Sequence, residues 1–258
     1  MKLLLVTLGG LAGLATLTAP APPSPAPARV PVVVELFTSE GCSSCPGADA
    51  TLRELESSQP VAGAEVIALG QHVDYWNRLG WKDQFSDPAY TARQAQYAAR
   101  FGSGSYTPQA VVQGRTELVG SRRADLVAAI GRAARAARAT VGLAGGQGGQ
   151  PLRVRVASLP AGTGLAQVLL FITESGLATQ VGGGENAGQL LRHASVVRSL
   201  RPLGTVAPGA TFEASPTLAL AAGWNPAHLR AVVVVQAERT RQVVGAAALP
   251  LGGELARQ

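Results

Sequence analysis

Cysteine is nearly absent: Cys42 and Cys45 are the only two in 258 residues. At most one intramolecular bridge can form, a modest staple for a chain of this size. Methionine occurs only at Met1, so the chain has no methionine-rich metal-binding stretch. Lysine occurs only at Lys2 and Lys82, and the net charge of +6 comes almost wholly from arginine. Aromatic residues make up 5%, and the arginines are scattered rather than clustered with them. That combination argues against a nucleic-acid partner and leaves the charge a role in solubility and weak steering. Long apolar runs are also missing beyond the first residues, so no transmembrane domain is expected in the mature chain. With 47% hydrophobic and 15% charged residues, a disordered chain is excluded.

The N-terminus reads as a secretory signal peptide. Lys2 supplies a positive n-region, and Leu3 to Leu17 is apolar but too short for a comfortable membrane span. Small-residue cleavage signals follow at Ala19-Pro20-Ala21 and Ala26-Pro27-Ala28, within a stiff Pro/Ala linker. Residues 1–28 are therefore assigned to leader and linker, and the expected location is periplasmic or secreted. In an oxidising compartment the two cysteines rest as a disulfide unless something reduces them.

The chain is organised around Val32 to Leu52. A β-branched run, Val32-Val33-Val34, leads into Thr38-Ser39-Glu40-Gly41 and then Cys42-Ser43-Ser44-Cys45. Pro46 suits the first turn of a helix, and Ala48, Leu52 and Leu55 continue with helical spacing. Two thiols at a strand-to-helix turn can close a small reversible disulfide, and a helix N-terminus stabilises a thiolate. So short a loop gains little loop-closure entropy from its bridge, which makes a purely structural role poorly motivated. Cys42 is read as the solvent-side attacking sulfur and Cys45, one turn inward, as the resolving one.

Further along, Glu65 to Leu69 reads as a second strand, running into the polar-aromatic loop Gly70 to Trp76. His72 and Asp74 fall beyond that strand, where they can neighbour the cysteines along with Trp76. Ala89 to Phe101 reads as a helix, Ala110-Val111-Val112 and Glu117-Leu118-Val119 as a hairpin, and Arg122 to about Ala139 as another helix.

This order, with Thr107-Pro108 placed before the hairpin, resembles the thioredoxin fold. The resemblance implies a cis peptide at Pro108, packed against the disulfide, and adds Thr107 and Pro108 to the candidate catalytic set of Cys42 and Cys45. More closely, VELFTSEGCSSCPGAD, HVDYWNRLGWKD and YTPQAVVQG are similar to the secreted bacterial family catalogued as domain of unknown function 1223. The likeness continues in Gly184-Glu185-Asn186-Ala187-Gly188 and Val196-Val197-Arg198. The family supplies a fold and an address, without an established reaction.

Residues 29–141 are thus assigned to an α/β thioredoxin-like domain. A Gly-rich linker follows at 142–150. Short strand-like segments with Gly/Pro turns then assign 151–258 to an all-β, antiparallel sandwich-like domain, a docking or packing module. His193 and Glu185 are its most noticeable polar residues, and a lone histidine there is read as structural. The expected function is thiol–disulfide exchange with client protein thiols or disulfides and a redox partner, with no resident cofactor. Two rivals stand beside it. Copper(I) binding would use Cys42, Cys45 and His72, since soft thiolates suit that ion. A catalytically inactive binding module would use Tyr75, Trp76, Asn77, Trp81 and Asp83 as its recognition surface; the same loop can equally cap a sheet edge.

Overall fold

The computed structural model describes residues 29–252. The expected signal peptide and the linker after it lie outside the described residues.

The first strand, β1 (Val30–Thr38), is buried along nearly its whole length because it carries apolar residues on both faces. Val32, Val34 and Leu36 point to one side, where α1 (Pro46–Ser58) and α3 (Arg123–Ala133) bring Ala48, Leu52, Leu55, Leu126 and Ile130. Val33 points to the other side and joins Ile67, Leu69, Tyr90, Phe171 and Val234. β1 pairs in parallel with β2 (Ala64–His72), with Val30 opposite Ala64 and Thr38 opposite His72. Strand β2 thus continues through Gly70, Gln71 and His72, which sequence alone places in a loop. α2 (Pro88–Phe101) follows, started by Asp87, whose carboxylate accepts the Ala89 N–H. The hairpin β3 (Gln109–Val112) and β4 (Thr116–Val119) then adds to the other edge of β1.

The expected fold class, an α/β thioredoxin-like domain followed by a separate antiparallel sandwich, is overturned. The described residues build thirteen strands against three α-helices. Strands from both halves of the chain form one mixed sheet of eight, ordered β13-β12-β7-β10-β2-β1-β3-β4. Its second half consists of β7 (Ala166–Glu174), β10 (Val196–Val206), β12 (Leu229–Ala237) and β13 (Val243–Pro250). The junction lies where Val196 of β10 pairs in parallel with Gly70 of β2. A separate first domain would leave the free edge of β2 as a row of unpaired backbone groups, and pairing with β10 removes that edge. Close approach is possible because Gly70 has no Cβ; one would lie 3.3 Å from the carbonyl oxygens of Ala194 and Ser195.

The remaining strands form smaller sheets. β5 (Thr140–Gly145), β6 (Leu152–Ala157) and β11 (Phe212–Ala214) make a three-stranded sheet. Its Leu152, Val154 and Val156 pack against Val168, Leu170, Ala231, Val233 and Val235 of the large sheet. Burial on both faces explains why β12, with Val232 to Val235, reads as a continuous apolar run rather than an alternating one. β8 (Ala178–Gln180) and β9 (Leu190–Arg192) form a two-stranded ribbon. Among the described residues, no helix is long and apolar enough to cross a membrane.

Candidate functional site

Cys42 and Cys45 are joined by a disulfide at the C-terminal side of β1 and the start of α1. Cys45 is the residue preceding the helix, and its carbonyl accepts the N–H groups of Ala48 and Asp49. The turn closes through the Cys45 N–H, which donates to the Cys42 carbonyl at 3.1 Å. Ser43 and Ser44 are exposed, while Cys42 and Cys45 are 0% and 1% exposed. The solvent-side position expected for Cys42 is therefore corrected: both sulfur-bearing residues lie under cover.

Two hydroxyls converge on the Cys42 sulfur. Thr107 Oγ1 donates to it at 3.4 Å, and Ser44 Oγ lies 3.4 Å away. The indole N–H of Trp76 donates to Thr107 Oγ1 at 2.9 Å, which leaves the threonine proton directed at sulfur. The Thr107–Pro108 peptide is cis. The structure thus brings together Cys42, Cys45, Thr107 and Trp76. Asp74 turns elsewhere: its carboxylate accepts the Thr91 hydroxyl at 2.5 Å, and its N–H donates to the same oxygen at 3.1 Å.

The second half of the chain is hydrogen-bonded to the cysteine turn. A short 3-10 turn, Gly184–Asn186, lies across the turn. Asn186 Nδ2 donates to the Glu40 carbonyl at 2.9 Å and to the Cys42 carbonyl at 3.0 Å. Glu185 Oε2 accepts the Ser43 N–H at 3.0 Å, and the Ser43 side chain, followed by that N–H, lowers the pKa of the exposed Glu185 carboxyl. The glycines before this turn let it approach Trp81. A Cβ on Gly183 would stand 2.6 Å from the Gly80 carbonyl oxygen, and Gly184 occupies the left-handed region at φ +70°.

His72 ends β2, opposite Thr38, the last residue of β1. Its Nδ1 lies 2.7 Å from Asp83 Oδ2, which also accepts the Glu40 N–H at 2.8 Å. Burial works to lower the His72 pKa, but the charge and hydrogen bond of Asp83, with Asp49 and Glu40 behind them, outweigh it and raise it. For Asp83, burial raises the pKa and the His72 charge, with backbone N–H groups of Glu40 and Phe85, takes it below the usual range. The Asp49 carboxyl moves up, because burial outweighs His72, Thr38, His193 and Arg53. The His72 ring also meets His193, with ring centroids 4.9 Å apart, and Phe85 packs against both.

His193, Glu40 and Asp49 are functional candidates that sequence reasoning missed. His193 lies some 120 positions from His72 in sequence (193 less 72 is 121), and nothing local in the chain signals that they meet. Asp49 falls on the helical face that also carries Leu52, a hint available only once that face is known to be buried.

A chain with a covered disulfide at a helix start, locked by a turn from its own second half, is the class this geometry defines. The chain belongs to the family described as protein of unknown function (DUF1223), whose model matches residues 33–236. Among solved structures, it is similar to protein AGR_C_4864 from Agrobacterium tumefaciens. That match has 27% identity and a TM-score of 0.68, covering 90% of this chain and 100% of that one. It also resembles HBP35 of Porphyromonas gingivalis, with 16% identity and a TM-score of 0.54, over 90% of this chain and 79% of that one. The second likeness concerns the fold alone. Among proteins with curated descriptions, none matches.

Proposed function

We propose that this chain performs thiol–disulfide exchange through Cys42 and Cys45, acting on client protein thiols or disulfides in a periplasmic or secreted setting. The observation that carries the reading is the convergence of the Thr107 and Ser44 hydroxyls on the Cys42 sulfur. Hydrogen bonds to a thiolate favour the charged form, and the start of α1 adds its dipole in the same direction. Cys42 is then the sulfur that carries the client.

In the oxidising direction, a client thiolate attacks Cys42 Sγ and the bond to Cys45 breaks, leaving a Cys45 thiolate. A second client thiolate attacks its own sulfur in the mixed disulfide, and Cys42 departs as a thiolate. The client loses two electrons to the protein. The reducing direction runs these steps backwards, with Cys45 attacking Cys42 to release the reduced client. Either direction requires the sulfurs to be uncovered, since both cysteines are buried at rest, and the Gly184–Asn186 turn, bonded to the Cys42 carbonyl and the Ser43 N–H, is the segment expected to lift.

The test is alkylation of the reduced protein by iodoacetamide as a function of pH, alongside insulin reduction by the wild type, Cys42→Ser and Cys45→Ser. Cys42 is expected to titrate below the ordinary thiol value of about 8.5. Both serine variants are expected to lose turnover, with Cys45→Ser retaining a trappable mixed disulfide at Cys42. If both thiols titrate near 8.5 or above, the activated-thiol reading is wrong.

A further inference from the structure

Behind the disulfide turn, four buried polar atoms have no hydrogen-bond partners among the described residues: Glu40 Oε1, Asp49 Oδ1, His72 Nε2 and His193 Nε2. Such orphans are rare in native interiors, and each needs an explanation. The donor atoms of Asp49, His72 and His193 all lie within 4.8 Å of one another. Glu40 Oε1 lies 3.2 Å from His193 Nε2, as close as an ion pair yet without hydrogen-bond geometry.

The other atom of three of these groups is already anchored. Asp83 holds His72 Nδ1 at 2.7 Å, which leaves Nε2 as the free lone pair. The Thr38 hydroxyl donates to Asp49 Oδ2 at 2.7 Å, leaving Oδ1 free. The Trp81 N–H donates to Glu40 Oε2 at 2.7 Å, leaving Oε1 free. One atom tied and the other bare, on the converging His72 and Asp49 and on Glu40 beside His193, is the arrangement of metal ligands held by outer-shell partners. The carboxylate–histidine pair of Asp83 and His72 is the most familiar form of it.

We propose that Glu40, Asp49, His72 and His193 form a binding site for a divalent first-row transition metal ion of the zinc type. Ligands about 2.0–2.2 Å from a tetrahedral ion stand about 3.3–3.6 Å apart, so Asp49, His72 and His193 would draw in from separations within 4.8 Å, and Glu40, 3.2 Å from His193, would swing in as the fourth donor. Two imidazoles and two carboxylates neutralise a dication, which suits a buried position. The donors are borderline to hard, and zinc fits them better than copper(I), whose preferred thiolates are occupied here by the Cys42–Cys45 bond. A cleft of about 190 Å3, lined by Glu40, Asp49, Arg53 and His193 among others, leads to the cluster from outside.

The test uses the full oxidised chain, stripped with a chelator and titrated with zinc by calorimetry. Cobalt(II) absorption then reports the ligand geometry. The expected result is one ion per chain, bound more tightly than about 1 μM, with an intense visible cobalt spectrum. Asp83→Asn, which touches no ion, is expected to weaken binding by about 10- to 100-fold. A Cys42→Ser/Cys45→Ser double variant is expected to bind as the wild type does, which separates this site from a cysteine site and from the exchange chemistry. His193→Ala is expected to lose stoichiometric binding. Folded wild type that binds no zinc overturns the proposal, as does a double cysteine variant that loses it. Should His193→Ala fail to fold, the Asp83→Asn and double-cysteine results decide the matter, since unchanged affinity in Asp83→Asn counts against the site.

Discussion

Arg93→Met is expected to destabilise the protein by about 3–5 kcal/mol, the range for removing one partner of a buried ion pair. Arg93 comes from α2 and reaches Glu35 in the middle of β1, with Nε 2.5 Å from Oε2 and an Nη2 donor 2.9 Å from Oε1. Tyr97 donates to the same Oε1 at 2.5 Å, and Gln71 donates to Oε2 at 2.7 Å. Across the sheet, Gln236 accepts from Arg93 at 3.1 Å, which ties β12 into the network. Burial disfavours the Arg93 charge, and Glu35 more than restores it, so the guanidinium pKa moves up. For Tyr97, burial pushes the phenol up, and the neighbouring Glu35 carboxylate does the same.

Methionine keeps the volume and removes the charge, leaving a carboxylate fully buried against Val-rich strands. Urea unfolding checks this: the midpoint falls while the slope stays constant. Adding Glu35→Leu to Arg93→Met is expected to cost less than the sum of the single changes, since the stranded charge is gone. A loss under about 1 kcal/mol in Arg93→Met, the level of an exposed pair, contradicts this description of the core.

Asn186→Ala is expected to speed reduction of the Cys42–Cys45 bond by dithiothreitol about 30-fold. The amide makes two buried hydrogen bonds, to the carbonyls of Glu40 and Cys42. At about 1 kcal/mol each, their loss raises the population with the turn lifted by roughly 2 kcal/mol, or some 30-fold. Reduction of a covered disulfide tracks that population. Glu185→Gln, altering an exposed contact to Ser43, is expected to change the rate much less. An unchanged rate in Asn186→Ala shows that the turn does not control access.

Local signals in the sequence lead directly to local structure. The Val32–Val34 strand, the cysteine turn, the Pro46 helix start and the Ala110–Val119 hairpin all stand where residue type and spacing place them. Long-range pairings are what such signals omit. The joining of β2 to β10 rests on Val196 finding Gly70, residues far apart in the chain, and one such pairing turns two expected domains into one continuous sheet. Helix α3 ends at Ala133, although its Ala/Arg pattern continues to Ala139, because Ala139 instead gives its N–H to the Val244 carbonyl and β5 begins at Thr140. Tertiary hydrogen bonding overrides helix propensity there.

At the site, the same limit applies. The cysteines, Thr107 and Trp76 were legible as a group, whereas the cover by Asn186 and the meeting of His72 with His193 depend on the second half folding back. His193 looked structural because its partners lie on β2, α1 and the turn between β1 and α1, none of them near it in sequence.

An exchange centre and a structural staple at Cys42–Cys45 differ most in redox potential. The reduction potential of the pair, measured by equilibration with glutathione buffers and thiol trapping, tests most directly which of the two it is. An exchange centre is expected between about −120 and −270 mV, the span of dithiol oxidoreductases. A value below about −300 mV, where structural bridges lie, contradicts the account.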